Sequence, residues 1–268
     1  MQAALSQRIF IEETFKYIFL TTHSSYILED MDNVNLVRIF NRTKVDSASS
    51  FYKVPQEFKQ LKRQLNKGLV EAIFADKVLL VEGPSEEVLF EKVLSMEDSY
   101  YQVNGVYVLA TNGIDFRPYV KILRELQIPY IVKTDNDLRK SGNESGYKPI
   151  GFSRINHLIE KDVLSVNCTD GNSAEDKRKL YDMNKNQLDL IRKEHHIYLS
   201  KVSLEEDLDE AIHERMVQYL PDADGNVVDY LKDHKKYNMI ELVQKLTHKD
   251  CDMILHHYNF ACLEEILK

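Results

Sequence analysis

Cysteine is scarce in this chain. The three present, Cys168, Cys251 and Cys262, are widely spaced and form no Cys-x-x-Cys, which argues against a structural zinc. With no secretory leader evident, this usage points to a reducing cytoplasm. Long apolar runs are also missing: no segment approaches the roughly 20 residues of a membrane-spanning helix, so no membrane partner is expected. Low-complexity tracts and internal repeats are absent. Positive charge is not in excess either, since Lys+Arg 35 against Asp+Glu 43 leaves a formal charge of -8. The overall balance therefore does not advertise nucleic-acid binding, although local basic clusters remain possible partners for it. Two such clusters, Lys59/Lys62/Arg63/Lys67 and Lys232/Lys235/Lys236, read most simply as solvated helix faces.

What is present divides near residue 75. Before it, the spacing predicts a helix over Ala3–Phe15, short strands at Tyr17–Leu20, Asn35–Phe40 and Phe51–Val54, and a helix or helix pair over Glu57–Phe74. From Lys77 the pattern becomes strand, helix, strand, helix, strand, which predicts a parallel sheet flanked by helices. The strands are placed at Val78–Val81, Val106–Ala110, Ile128–Val132 and Ile197–Val202. Arg139–Gly151 reads as a loop and Asp162–Asp176 as a weakly patterned insertion. Helices fill the remainder, with Met239–Leu246 the clearest.

Three of these strands end in carboxylates: Glu82 with Glu86, Asp135 with Asp137, and Glu205 with Asp207 and Asp209. Gly83 suits a tight turn after the first strand, and Pro84 fits the first position of the helix that follows. A parallel sheet brings its strand carboxyl ends to one edge, where ligands of open α/β sheets bind. Clustered carboxylates raise one another's pKa, a cost that a hard divalent cation removes. Oxygen ligands without His or Cys suit Mg²⁺ or Mn²⁺ rather than zinc. Two ions about 4 Å apart would suit phosphodiester hydrolysis. The adjacent pairs His195-His196 and His256-His257 are poor chelators, because sequence neighbours point in different directions.

Glu-Gly-x-x-Glu after one strand and Asp-x-Asp after a later one resemble the Toprim domain of topoisomerases, bacterial primases and certain nucleases. The ordered set Leu79–Glu86, Leu109–Gly113, Lys133–Asp137 and Ser203–Leu208 is similar to the overcoming-lysogenization-defect (OLD) endonucleases, whose Leu-Glu-x-Asp-Leu pattern the last element matches. The similarity extends over roughly residues 76–245. It also resembles the nuclease subunit of Gabija-type anti-phage systems within that family. Ile18–Ser24 resembles the end of an ABC-type ATPase domain, with His23 as the γ-phosphate contact.

The resemblance implies a Rossmann-like Toprim sheet in residues 76–268, with a helical carboxy-terminal part, preceded in residues 1–75 by the remnant of an ATPase domain and linker. Glu82, Glu86, Asp135, Asp137, Glu205 and Asp207 would hold metal. Glu82 and Asp135 would be catalytic, together with a downstream lysine, Lys236 or the adjacent Lys235. The implied activity is Mg²⁺- or Mn²⁺-dependent DNA cleavage, in a homo-oligomer with a helicase-like partner subunit. The chain has no Gly-x-x-x-x-Gly-Lys-Ser/Thr loop, so ATP would act only through an ATPase domain that the chain lacks. Two other readings are a non-catalytic Toprim module for assembly or regulation, and a receiver-like domain with Asp135 as phosphoacceptor, which leaves the Glu205 group without a role.

Overall fold

The computed structural model describes residues 2–12, 16–41, 44–113, 115–142 and 145–268, and two compact units emerge from it. The first comprises Met1–Val78 together with Ile114–Tyr130, the second Leu79–Gly113 with Ile131–Lys268. A later segment, Ile114–Tyr130, thus groups with the residues up to Val78.

In the first unit, α1 (Gln2–Phe10) and α2 (Ser25–Leu28) precede a hairpin of β1 (Val34–Asn41) and β2 (Val45–Tyr52), paired antiparallel from Val34↔Tyr52 to Asn41↔Val45. A 3₁₀ turn at Gln56–Leu61 leads into α3 (Lys62–Phe74), which buries Leu65, Leu69, Val70 and Ile73. Buried Asn66 is fully used: it accepts from the Tyr52 hydroxyl at 2.5 Å and donates to the carbonyls of Glu29 and Met31 at 2.7 and 2.9 Å. Such satisfaction makes a buried amide tolerable. The helix α5 (Arg117–Glu125) belongs to this unit and contacts both β2 and α3.

Two expectations fail here. Tyr17–Leu20 forms no strand; it is irregular and exposed, with Phe19 fully so. An apolar run becomes a strand only with a neighbour to complete its backbone hydrogen bonds, and among the described residues it has none. The ATPase-like element expected on this strand is not shown among the described residues. The second hairpin strand starts at Val45 rather than Phe51, because pairing with β1 recruits a serine-rich segment of little apolar signal. Glu13–Phe15, the end of the expected first helix, lies outside the described residues; within them α1 stops at Phe10.

The second unit holds a parallel sheet in the order β4-β3-β5-β8, with β3 at Lys77–Val81, β4 at Val106–Ala110, β5 at Tyr130–Thr134 and β8 at Ile197–Leu199. The third strand is displaced toward Thr134 relative to expectation, and the fourth is shorter. From β3 the chain runs through α4 (Pro84–Glu97) to β4 on one side, then crosses back to β5 on the other. The strand order thus reverses between β3 and β5, the position where open α/β sheets bind ligands.

Residues expected as a loop instead form a hairpin, β6 (Leu138–Lys140) with β7 (Tyr147–Pro149), followed directly by α6 (Ile150–Ile159). Asn143 and Glu144 of that expected loop lie outside the described residues. Further helices are α7 (Ala174–Met183), α8 (Lys185–His195), α9 (Leu204–Tyr219), α10 (Val227–Asp233), α11 (Lys235–Lys245), α12 (His248–Leu255) and α13 (Ala261–Leu267). One apolar core joins Leu79 and Val81 of β3, Leu89, Phe90 and Val93 of α4, and Leu208, Leu242, Ile254 and Leu263 of the later helices. No helix among the described residues is long and apolar enough to cross a membrane.

Candidate active site

The β3–α4 turn is built as its residues require. Pro84 occupies the first turn of α4, where a missing N–H costs nothing, and Leu89 and Val93 bury one turn and two turns later to anchor the helix. Gly83 is extended, with φ -147°, so its role is not an unusual backbone angle. It leaves room instead, since a Cβ there would stand 3.4 Å from a Glu86 carboxylate oxygen.

At the strand-order reversal lies a cavity of about 450 Å³. Glu82 and Glu86 from the β3–α4 turn, Asp135 from the end of β5, Glu205 from the first turn of α9, and Lys235 and Lys236 from the start of α11 all line it. The convergence explains the electrostatics. Burial, and then the neighbouring carboxylates of Glu82 and Glu205, push the Glu86 carboxyl up to about 7, with its own backbone N–H and Lys235 pulling the other way. Asp135 rises well above the ordinary carboxylate range through burial and then through Glu82, Glu86, Asp137 and Glu205. Such a cluster is short of positive charge, and its donors are all oxygen. It fits a hard divalent cation. The Ser85 hydroxyl, which is buried on the same cavity and has no hydrogen-bond partner, adds one more unused oxygen.

Among the described residues no three Asp, Glu, His or Cys side chains already surround one ion position. The reason is visible at Glu82. Its Oε1 accepts from the Thr134 hydroxyl at 2.5 Å, from the Asp135 backbone N–H at 2.8 Å, and from the Arg154 guanidinium. Asp135 accepts from the Ser200 hydroxyl at 2.9 Å, and Glu205 from the Ser203 hydroxyl at 2.5 Å.

The remaining expected ligands stand elsewhere. Asp137 does not line the cavity; it faces Arg154 Nη2 at 3.4 Å. Asp207 is buried behind the site, with one oxygen 3.0 Å from Lys133 Nζ and the other accepting from the Lys201 N–H at 3.0 Å. His23 belongs to the first unit, exposed in an irregular stretch with its ring 6.4 Å from that of Phe74. Arg154 lies outside every motif, and Lys133 and Ser85, though inside motif segments, are given no role by sequence reading. For Lys133 a signal exists, because a lysine directly after the apolar run Tyr130–Val132 must find a partner if that strand is buried.

The raised carboxyls make a prediction about pH. Glu86 holds its proton more tightly when folded than its unfolded value of 4.5, so it contributes stability below that value and loses it as pH rises through about 7. Asp135 acts in the same direction. In chelator, stability is expected to fall between about pH 4.5 and 7, by about 1.4 kcal/mol per pH unit for the proton released from Glu86. Glu86→Gln should flatten that slope in melting curves.

Residues 73–137 match the family model described as overcoming lysogenization defect protein-like, TOPRIM domain. The whole chain aligns at 39% identity over 279 residues with the protein named Endonuclease GajA of Bacillus cereus strain VD045, covering 48% of it. A second Endonuclease GajA, from strain HuB5-5, aligns at 27% over 191 residues, 64% of this chain and 26% of that protein. The chain thus spans about half the length of the first of these relatives or less. Among solved structures, the C-terminal region of the Burkholderia pseudomallei OLD protein is similar at 19% identity and a TM-score of 0.48, covering 73% of this chain and 100% of that one.

Proposed function

Because the chain carries the Toprim domain of the OLD family, we propose that it is the catalytic part of a Mg²⁺- or Mn²⁺-dependent DNA endonuclease. The observation that carries this reading is the four-carboxylate cavity at the strand-order reversal, with two of its acids held above their ordinary pKa. In this reading Glu82, Glu86, Asp135 and Glu205 hold the cation or pair of cations, and Asp137 completes the set from the edge. A bound divalent ion would supply a water of lowered pKa and a Lewis acid for phosphoryl oxygens. Thr134 and Ser200 hydrogen-bond to Glu82 and Asp135 and help orient these two carboxylates. Asp207 is assigned a supporting role through Lys133.

The two lysines at the start of α11 would meet the negative charge that grows on phosphate in the transition state. Lys235 acts on Glu86 and Lys236 on Glu87, and in this reading Lys236 is the one assigned to the substrate phosphate. A DNA substrate, a homo-oligomeric state, a helicase-like partner and an anti-phage role belong to the same proposal, on the strength of resemblance to Gabija nuclease subunits. The alternative is a non-catalytic Toprim module, favoured by Arg154 occupying Glu82.

Supercoiled plasmid separates the two. Nicking is expected in Mn²⁺ or Mg²⁺ and not in chelator, with Lys236→Ala losing about 10²- to 10³-fold, the scale of a single transition-state donor. Lys235→Ala is expected to lose less. The reverse order would reassign the role to Lys235, and the absence of any metal-dependent nicking by wild type would favour the non-catalytic module.

A further inference from the structure

Arg154 is the one basic side chain described above that touches two of the proposed metal-binding carboxylates. Its Nη1 contacts Glu82 and the Thr134 hydroxyl, and its Nη2 stands 3.4 Å from Asp137. The guanidinium spans the two acids as a fork, which a lysine ammonium cannot do. Its placement is determined by backbone packing. The first N–H groups of α6 donate to the Asp137 carbonyl, from Ile150 at 2.8 Å and from Gly151 at 3.3 Å. Gly151 is required by that close approach, because a Cβ there would lie 2.6 Å from the Asp135 carbonyl oxygen. Phe152, Ile155 and Leu158 of the same helix are buried. One turn from this staple, Arg154 reaches the carboxylates with its side chain only 21% exposed.

We infer that Arg154 is a positioning residue that acts as an internal counter-cation for two acids of the cluster: it holds Glu82 and Asp137 in register while the site has no ion, and a divalent cation must displace it to gain the Oε1 oxygen of Glu82 and hence both of its carboxylate oxygens. The inference rests on the metal-dependent reading above. It follows from the chemistry of the donor set. The Glu82 oxygen already accepts three hydrogen bonds, one of them charge-assisted, and a carboxylate oxygen so engaged has little lone-pair capacity left for an ion. A cation arriving there competes with a fixed guanidinium rather than with water. The protein therefore stays folded with Glu82 and Asp137 compensated, and its affinity for an ion is lowered by this one guanidinium.

An ordinary structural ion pair predicts the opposite sign for its removal. If Arg154 merely organised the site, losing it would scatter the ligands and weaken metal binding; as a competitor, losing it strengthens binding. Mn²⁺ titration of the full chain, followed by electron paramagnetic resonance and calorimetry, reads that sign directly. Arg154→Gln is expected to bind Mn²⁺ about tenfold more tightly than wild type, the equivalent of one charge-assisted contact, and to melt at a lower temperature in chelator. Arg154→Lys, which can engage one carboxylate at a time, is expected to fall between the two, and supplies the same ordering if the glutamine variant does not fold. Unchanged or weaker Mn²⁺ affinity in a folded Arg154→Gln protein overturns the inference while leaving the metal-dependent reading intact. Failure of the wild-type protein to bind Mn²⁺ at all overturns both.

Discussion

Asp135→Ala is expected to abolish metal-dependent cleavage, by at least about a thousandfold, well beyond the 10- to 100-fold loss typical of residues that only support a metal ligand. The same substitution should leave the metal-free protein folded and more stable near neutral pH. The two expectations have one cause. Asp135 sits where burial and four neighbouring carboxylates all disfavour its charge, so ionising it comes at a cost to the fold. Such a group stabilises nothing until a cation arrives. Removing it relieves repulsion on Glu86 and Glu82, at the loss of one hydrogen bond from Ser200. Plasmid cleavage and melting curves in chelator, measured on the same preparation, check both halves. A folded Asp135→Ala protein that cleaves as wild type does would sink the catalytic assignment; one that is also markedly less stable would show that Asp135 is a structural residue.

The second large effect lies behind the site. Lys133 and Asp207 are almost wholly buried, at 2% and 1% exposure, with 3.0 Å between Nζ and the carboxylate. Lys133 also donates to the Asn259 carbonyl at 3.0 Å and lies 5.8 Å from the centroid of the Phe260 ring. One ion pair therefore ties the second central strand to the start of α9 and to the carboxy-terminal helices. Lys133→Met leaves a buried carboxylate without its partner and is expected to cost about 3–5 kcal/mol. Adding Asp207→Asn removes the orphaned charge, keeps an acceptor for the Lys201 N–H, and should recover most of that loss. Chemical denaturation of the two single variants and the double variant gives the coupling. If the double variant folds and still binds Mn²⁺ with wild-type stoichiometry, Asp207 holds no metal. If the double variant is no better than Lys133→Met, the pair is not what joins these elements.

The contrast between Asp135 and Asp207 shows what local sequence can reveal. The run Val78–Val81, the helix-starting Pro84 and the acids that follow are all local, so the first corner of the site was legible. The strand order placed Asp135 beside it by the rule that parallel strands share an edge. Asp207 carries the same chemical signal as Glu205, yet the first turn of α9 turns one toward the cavity and the other toward Lys133. Nothing short of the packed helix distinguishes them. Arg154 is less legible still, since its reach to Glu82 depends on a glycine approaching a carbonyl from a distant strand. The hairpin strand from Val45 was hidden for a related reason: its serines gain their strand character from pairing with β1.

The route of the chain through α5 has a consequence for heredity rather than chemistry. The connection between two strands of the second unit is lodged in the first, where Tyr119, Val120, Ile122 and Leu123 are buried and the helix meets β2 and α3. A recombination event with one crossover near residue 76 would import a hairpin and helix without the downstream segment they pack against. The two units therefore have to be inherited together, and substitutions on α5 should track those on the hairpin more closely than those on the strands it connects.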